Sequence, residues 1–135
     1  MIKKSIALFL SLFFISIDFA AAAQNFYCPE TIWCTTTHCR SMGTQWEVHT
    51  NAATSTHLMP YFFNSATALV DTGNLKPEPG QVSCSYGTDT EGTVQIVSVS
   101  NTVSYVPGRD WKNKGEYALC PEVIARDCPF TNNAS

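Results

Sequence analysis

Residues 81–99, QVSCSYGTDTEGTVQIVSV, have the pattern of a β-hairpin. Apolar residues alternate with small polar ones over residues 82–86, which is the period of a strand with one buried face. Residues 87–92 begin and end with glycine and provide the turn, and residues 93–99 return as the second strand. The hairpin therefore predicts a mainly β domain.

Within the second strand the apolar positions change phase. Val94 and Ile96 occupy even positions, whereas the later apolar residues occupy odd ones: Val97, Val99, Val103 and Tyr105. A shift of one residue would turn the buried face of a strand toward water. We therefore predict a β-bulge near Ile96–Val97.

Other strands are predicted on both sides of the hairpin. Trp46 and Val48 alternate with polar residues, and residues 66–70 form a short apolar run. Residues 58–63 are apolar and aromatic, but Pro60 predicts an edge or a bend there. Charged residues are sparse and Thr, Ser and Asn are abundant. These features indicate a small antiparallel sandwich or curled sheet stabilised by disulfides.

Two similar segments flank this β region. Cys28-Pro29-Glu30-Thr31-Ile32 and Cys120-Pro121-Glu122-Val123-Ile124 agree at four of five positions. Proline is favoured at the first position of a helix, and glutamate in the first turn interacts well with the helix dipole. Both segments are therefore predicted to be short helical turns at the ends of the domain.

The N-terminus has the organisation of a signal peptide. Lys3 and Lys4 precede an apolar run over residues 6–17, and a run of small residues ends at Ala23. The apolar run is shorter than the roughly 20 residues of a membrane span. We predict that residues 1–23 are removed and that residues 24–135 form one small domain without stable membrane insertion. This anatomy indicates a secreted or periplasmic protein and fits a bacterial origin.

The charge of the mature chain argues against nucleic-acid binding. Without Lys3, Lys4 and Asp18, six Lys and Arg remain against ten Asp and Glu, a net charge of about −4. Nonspecific binding to nucleic acid requires clustered positive charge, and the sequence has no basic run.

Six cysteines follow the signal peptide, and in an exported domain an even number predicts a disulfide framework. They are Cys28, Cys34, Cys39, Cys84, Cys120 and Cys128. Six cysteines allow 15 pairings, and the spacing does not choose among them. The alternative is a zinc site formed by Cys34, His38 and Cys39 with Cys28 nearby, but this spacing matches no common finger pattern. We predict disulfides, no metal and no cofactor.

One segment offers a catalytic alternative. Ala68-Leu69-Val70-Asp71-Thr72-Gly73 resembles the apolar-apolar-Asp-Thr-Gly signature of aspartic proteases. That similarity implies two such aspartates sharing one proton, hence a dimer in which Asp71 of each copy activates water. The family also needs a later apolar-apolar-Gly segment, and residues 106–110 match it only roughly because Pro107 departs from the pattern. Turn chemistry after a strand is the simpler explanation of Asp-Thr-Gly.

The aromatic residues point instead to binding. Aromatic side chains anchor protein partners and stack on sugars, although most fill a small core. Trp46, Phe62 and Tyr105 lie within apolar patterns and are assigned to the core. Trp111 lies among charged residues and is predicted to be an exposed contact residue.

Three short motifs resemble a group of small exported bacterial proteins without a characterised activity. They are Cys28-Pro29 followed by Ile32, then Trp46-Glu47, and then Cys84-Ser85-Tyr86-Gly87. The resemblance implies a compact β-rich domain and a Cys28–Cys84 bridge, and it carries no catalytic residue. The remaining cysteines would then form the local pairs Cys34–Cys39 and Cys120–Cys128.

Together these features favour a non-catalytic binding or interaction protein that meets a protein or glycan at a cell surface. The alternative is a small exported hydrolase, most concretely the dimeric aspartic protease that would use Asp71.

Overall fold

The computed structural model describes residues 24–69, 80–87, 92–108 and 110–132. Within these ranges the chain is mainly β, as predicted, and its one helical element is a 3₁₀ turn at Ala125–Asp127. Strands β1 to β11 are, in chain order, Asn25–Phe26, Thr31–Cys34, Cys39–Arg40, Trp46–Asn51, Met59–Leu69, Val82–Gly87, Thr93–Ser98, Val103–Tyr105, Lys112–Asn113, Tyr117–Cys120 and Phe130–Asn132.

Strand β5 is the centre of the larger antiparallel sheet, whose order is β3-β2-β5-β6-β7-β4. One edge of β5 pairs with β6. The opposite edge is shared, because β2 pairs with residues 59–62 and β10 pairs with residues 66–69. Both partners are antiparallel to β5, so β2 and β10 lie end to end and point in the same direction.

A second, three-stranded sheet has the order β1-β11-β8. Its Phe130 packs edge-on against Trp46 of the larger sheet, with ring centroids 5.7 Å apart. Two backbone hydrogen bonds between Gly80 and Val103 join the sheets beside β6. The two sheets enclose one cluster of buried side chains.

The β6–β7 hairpin is confirmed, but the predicted β-bulge near Ile96–Val97 is wrong. Val94, Ile96 and Ser98 of β7 all face the core, and pairing with β6 is continuous. The strand instead ends at Ser98, and Val99 lies in an exposed bend, so the change of phase needs no bulge. A register shift does lie opposite Ile96 and Gln95, but the extra residue is on the partner strand β4, between Val48 and Thr50. A second shift is in β5, between Phe63 and Ser65.

The two apolar runs around residues 58–70 form one strand rather than two. Pro60 lies inside β5, opposite Trp33. The Phe63 N–H donates to the Glu30 carbonyl at 3.0 Å. By the alternation of antiparallel ladders, position 60 directs its nitrogen away from β2. On that side the pairing with β6 reaches Phe62, opposite Gly87, so among the described residues the missing N–H of Pro60 leaves no ladder hydrogen bond unmade.

The predicted helical turn at the first Cys-Pro segment is wrong, whereas the second segment is followed by the 3₁₀ turn. Thr31 and Ile32 belong to β2 and pair with Phe62 and Tyr61. Two β-branched residues favour an extended backbone when a partner strand is present.

All six cysteines form disulfides, in the pairs Cys28–Cys84, Cys34–Cys39 and Cys120–Cys128. The pairing hypothesis is confirmed. Such bridges are typical of oxidising compartments. The described residues contain no helix of the length and hydropathy that a membrane span requires. The predicted signal peptide, residues 1–23, lies outside the described ranges.

Candidate binding cleft and outer sheet face

A cleft of about 290 Å³ opens between the two sheets. The larger sheet contributes the start of β4 and the end of β7, and the smaller sheet contributes one residue from β1, one from β8 and two from β11. The lining residues are Phe26, Thr44, Gln45, Trp46, Ser98, Val99, Ser100, Val103, Phe130 and Asn132. We call this feature the inter-sheet cleft.

One wall of the inter-sheet cleft is aromatic. Phe26 is opposite Phe130 in the β1–β11 pairing, and their rings stack with centroids 6.3 Å apart. Trp46 meets Phe130 edge-on and is almost fully buried. Rings fixed by such packing lose little conformational freedom when a ligand contacts them.

The other wall is a row of hydroxyl and amide groups fixed by hydrogen bonds. Ser98 Oγ accepts from the Val82 N–H at 3.1 Å and donates to the Ser100 carbonyl at 2.8 Å. Thr102 Oγ1 donates its only proton to Asn132 Oδ1, so Ser100 Oγ must donate to Thr102 Oγ1. Ser100 Oγ also accepts the Thr102 N–H at 3.2 Å and retains one further lone pair as an acceptor.

The inter-sheet cleft is electrically neutral, since none of its described lining residues is charged. Its described lining residues include the hydroxyls of Thr44, Ser98 and Ser100 but no carboxylate or imidazole that could act on them as a general base. Within the described ranges no group of three or more His, Cys, Asp or Glu residues could hold a metal ion.

Among the described residues, Tyr86 has the strongly perturbed pKa, and it lies outside the cleft. Burial, with a contribution from the nearby Glu30 carboxylate, raises the pKa of its phenol far above the usual value. Its hydroxyl donates to the Pro29 carbonyl at 2.6 Å. Tyr86 therefore remains neutral and acts as a structural link between β6 and the segment before β2.

A second surface feature lies on the opposite side of the larger sheet. We define the outer face as the solvent-facing side of β2, β5, β6 and β7, which runs from Trp33 and Phe62 across Ser83, Ser85, Thr93 and Gln95. Trp33 is 39% exposed and Phe62 is 56% exposed. The assignment of Phe62 to the core is wrong, whereas Trp46 and Tyr105 are buried as predicted.

The prediction of an exposed contact residue at Trp111 is wrong. Its side chain is only 7% exposed. The indole N–H donates to the Pro129 carbonyl at 2.8 Å, and the ring packs against Tyr105 at a centroid distance of 5.4 Å. Charged neighbours in sequence did not keep it at the surface, because its indole N–H has a buried backbone acceptor.

The candidate zinc ligands are not assembled into a metal site. Cys34 and Cys39 are joined to each other and Cys28 to Cys84, so no thiolate remains for zinc. His38 Nδ1 instead lies 3.1 Å from Thr35 Oγ1. Asp71 lies outside the described residues.

The exposure of Trp33 and Phe62 was not predicted, although the sequence contains a signal for it. In Thr31-Ile32-Trp33-Cys34, strand alternation places Trp33 on the face opposite Ile32 and Cys34. In Tyr61-Phe62-Phe63, the middle ring must face away from the outer two for the same reason. Comparisons with protein-family models, curated proteins and solved structures found no match to this chain.

Proposed function

We propose that this chain is an exported, non-catalytic binding protein, secreted or periplasmic, and that the inter-sheet cleft holds its ligand. The observation that supports this function most directly is the combination of a preorganised wall of hydroxyl and amide groups with an aromatic wall and no charge. Small-molecule sites typically combine an apolar lining with a few fixed polar groups.

The cleft favours a small, uncharged ligand. A charged group would lose its hydration in the cleft without meeting an opposite charge, which is costly. A volume of about 290 Å³ is at the lower end of the range for small-molecule sites, so it accommodates one ring-sized group. The ligand would place its apolar side against Phe26 and its hydroxyl or amide groups toward Ser100 and Asn132.

The test is to fill the cleft from its rim. Val99 is an exposed lining residue, and Val99→Trp should block the cleft without removing a core side chain. Val48→Trp is the matched control, because Val48 is also exposed but does not line the cleft. A panel of uncharged, ring-sized compounds is screened against the wild-type protein by saturation-transfer NMR.

We expect a subset of the panel to bind the wild-type protein and the Val48→Trp variant with equal affinity. The same compounds should lose at least about tenfold in affinity for Val99→Trp, since a tenfold loss corresponds to about 1.4 kcal/mol. Equal binding to both variants, or no binding from the whole panel, would contradict the assignment.

A further inference from the structure

We propose that the outer face is a second binding surface, and that it binds an uncharged polysaccharide chain. This inference is independent of the inter-sheet cleft, because the two features lie on opposite sides of the larger sheet and share no residue. It rests on the charge, the exposed rings and the dimensions of the outer face.

The first observation is the absence of charge. Strands β2, β5, β6 and β7 have the sequences TIWC, MPYFFNSATAL, VSCSYG and TVQIVS, in which no residue is charged. Solvent-facing surfaces of small domains normally intersperse Lys, Arg, Glu and Asp. Two charged residues lie at its edges: Arg40 on β3 is directly opposite Trp33, and Glu47 on β4 is directly opposite Val97. A neutral surface complements a neutral partner and gives no electrostatic attraction to nucleic acid or an anionic polymer.

The second observation is a pair of neighbouring exposed rings. Trp33 is opposite Pro60, and Phe62 is opposite Thr31, so Trp33 and Phe62 are diagonal neighbours across β2 and β5. Diagonal side chains of this kind are about 7–8 Å apart, within reach of each other for aromatic residues. The ladder alternation makes both directly opposite pairs of the non-hydrogen-bonded type, in which side chains approach most closely. Two such rings give an apolar platform for the C–H face of a sugar.

The third observation is the polar surface beside the rings. Ser85 and Gln95 are opposite each other in the β6–β7 pairing, and Gln95 Nε2 donates to Ser85 Oγ at 3.4 Å. Hydroxyl and amide groups of this kind exchange hydrogen bonds with sugar hydroxyls, directly or through water. From β2 to β7 there are three interstrand spacings, about 14 Å in total. This width fits several linked sugar units rather than one.

A polysaccharide fits these observations better than a protein partner does. Protein interfaces combine aromatic residues with arginine and have a polar rim. Here one arginine, Arg40, lies beside the rings as the partner of Trp33 on β3, and the four described strands themselves carry only uncharged side chains. A protein partner therefore remains an outcome that the experiment must separate.

The experiment is co-sedimentation of the oxidised protein with insoluble cellulose, chitin and β-1,3-glucan, at low salt and in 1 M NaCl. We expect binding to at least one of these uncharged polymers and no loss in high salt, because no ion pairs are involved. Trp33→Ala and Phe62→Ala should each weaken binding at least about tenfold, as expected of an anchoring aromatic residue. Tyr27→Ala should stay within twofold, since Tyr27 is comparably exposed but precedes β2.

Two further variants keep the result interpretable. Phe62→Gln retains a long side chain on the exposed face, so loss of binding with an unchanged urea midpoint assigns the effect to the ring. Val99→Trp should bind polysaccharide normally, which separates the outer face from the inter-sheet cleft. Failure to bind all three polymers, binding abolished by salt, or equal binding by the Trp33 and Phe62 variants would overturn the proposal. Capture of a protein that competes at Trp33 and Phe62 would overturn it as well.

Discussion

Two nearly identical pentapeptides have opposite structures in this protein. Cys28-Pro29-Glu30-Thr31-Ile32 leads into strand β2, and its Ile32 is completely buried. Cys120-Pro121-Glu122-Val123-Ile124 leaves strand β10 and leads to the 3₁₀ turn, and its Ile124 is 52% exposed. Local sequence therefore does not determine either structure.

Tertiary partners account for the difference. The Pro29 carbonyl accepts the Tyr86 hydroxyl, and the Glu30 carbonyl accepts the Phe63 N–H at 3.0 Å, so the first segment is held extended against β5 and β6. The segments also meet, because Glu30 Oε1 accepts the Ala125 N–H at 2.9 Å, just beyond the second pentapeptide. The lesson is that the same residues form a strand where hydrogen-bonding partners exist and a bend where they do not.

The largest expected losses of stability come from opening the disulfides of the two segments. Replacing Cys28 and Cys84 together with alanine opens a loop of sequence separation 56, whereas replacing Cys120 and Cys128 opens one of 8. In the chain-entropy model these losses are about 4 and about 2.6 kcal/mol. Urea unfolding of the two double variants measures the difference. A larger loss for the Cys120–Cys128 variant would show that the C-terminal turn, and not the first segment, is the stronger constraint.

The two isoleucines give the next contrast. Ile32→Ala should cost about 3 kcal/mol of unfolding free energy, because it leaves a cavity in the core. Ile124→Ala should change it by less than about 0.5 kcal/mol, as for most exposed positions. Thermal and urea denaturation check both values. Similar losses in the two variants would mean that Ile124 is covered in solution.

The smallest contrast concerns Tyr86, whose hydroxyl hydrogen-bonds to the first pentapeptide and not to the second. Tyr86→Phe removes the hydrogen bond to Pro29 and should cost about 1 kcal/mol. Tyr117→Phe, an exposed tyrosine on β10, should cost less than about 0.5 kcal/mol.

Tyr86 also predicts a dependence on pH. Because burial raises the pKa of Tyr86 in the folded state, its phenol stays protonated there while the unfolded chain loses the proton near pH 10. The stabilisation from this group is therefore complete below about pH 10 and declines as the pH rises further, by up to about 1.4 kcal/mol per unit. Urea midpoints between pH 8 and pH 11 should fall for the wild-type protein and fall less for Tyr86→Phe. Parallel curves would contradict the assignment.

Much of the fold could be predicted from patterns that depend on one strand and its neighbour. The hairpin of β6 and β7 follows directly from the alternation at Val82, Cys84 and Tyr86. The single strand β5 could not be predicted, because Pro60 interrupts its pattern and is tolerated only where the chain leaves its nitrogen unpaired. Whether a change of phase means a bulge or the end of a strand is likewise decided by the partner strand, as at Val99.

The candidate sites were less predictable, for a physical reason. The inter-sheet cleft joins β1, β4, β7, β8 and β11, so no short segment contains its pattern. Exposure was also misjudged from sequence neighbours: charged residues flank Trp111, which is buried, and aromatic residues flank Phe62, which is exposed. In a β protein the face of a residue depends on strand alternation more than on the polarity of adjacent residues.

The end-to-end arrangement of β2 and β10 on one edge of β5 has a consequence for folding during synthesis. Synthesis begins at the N-terminus, so β2, β5 and β6 are available to pair well before β10. Until then residues 66–69 of β5 present an unpaired edge, which is a site for erroneous pairing with another chain. Strand β10, which is synthesised late, therefore completes the pairing of that edge. A protein truncated before Tyr117 should aggregate at the edge of β5.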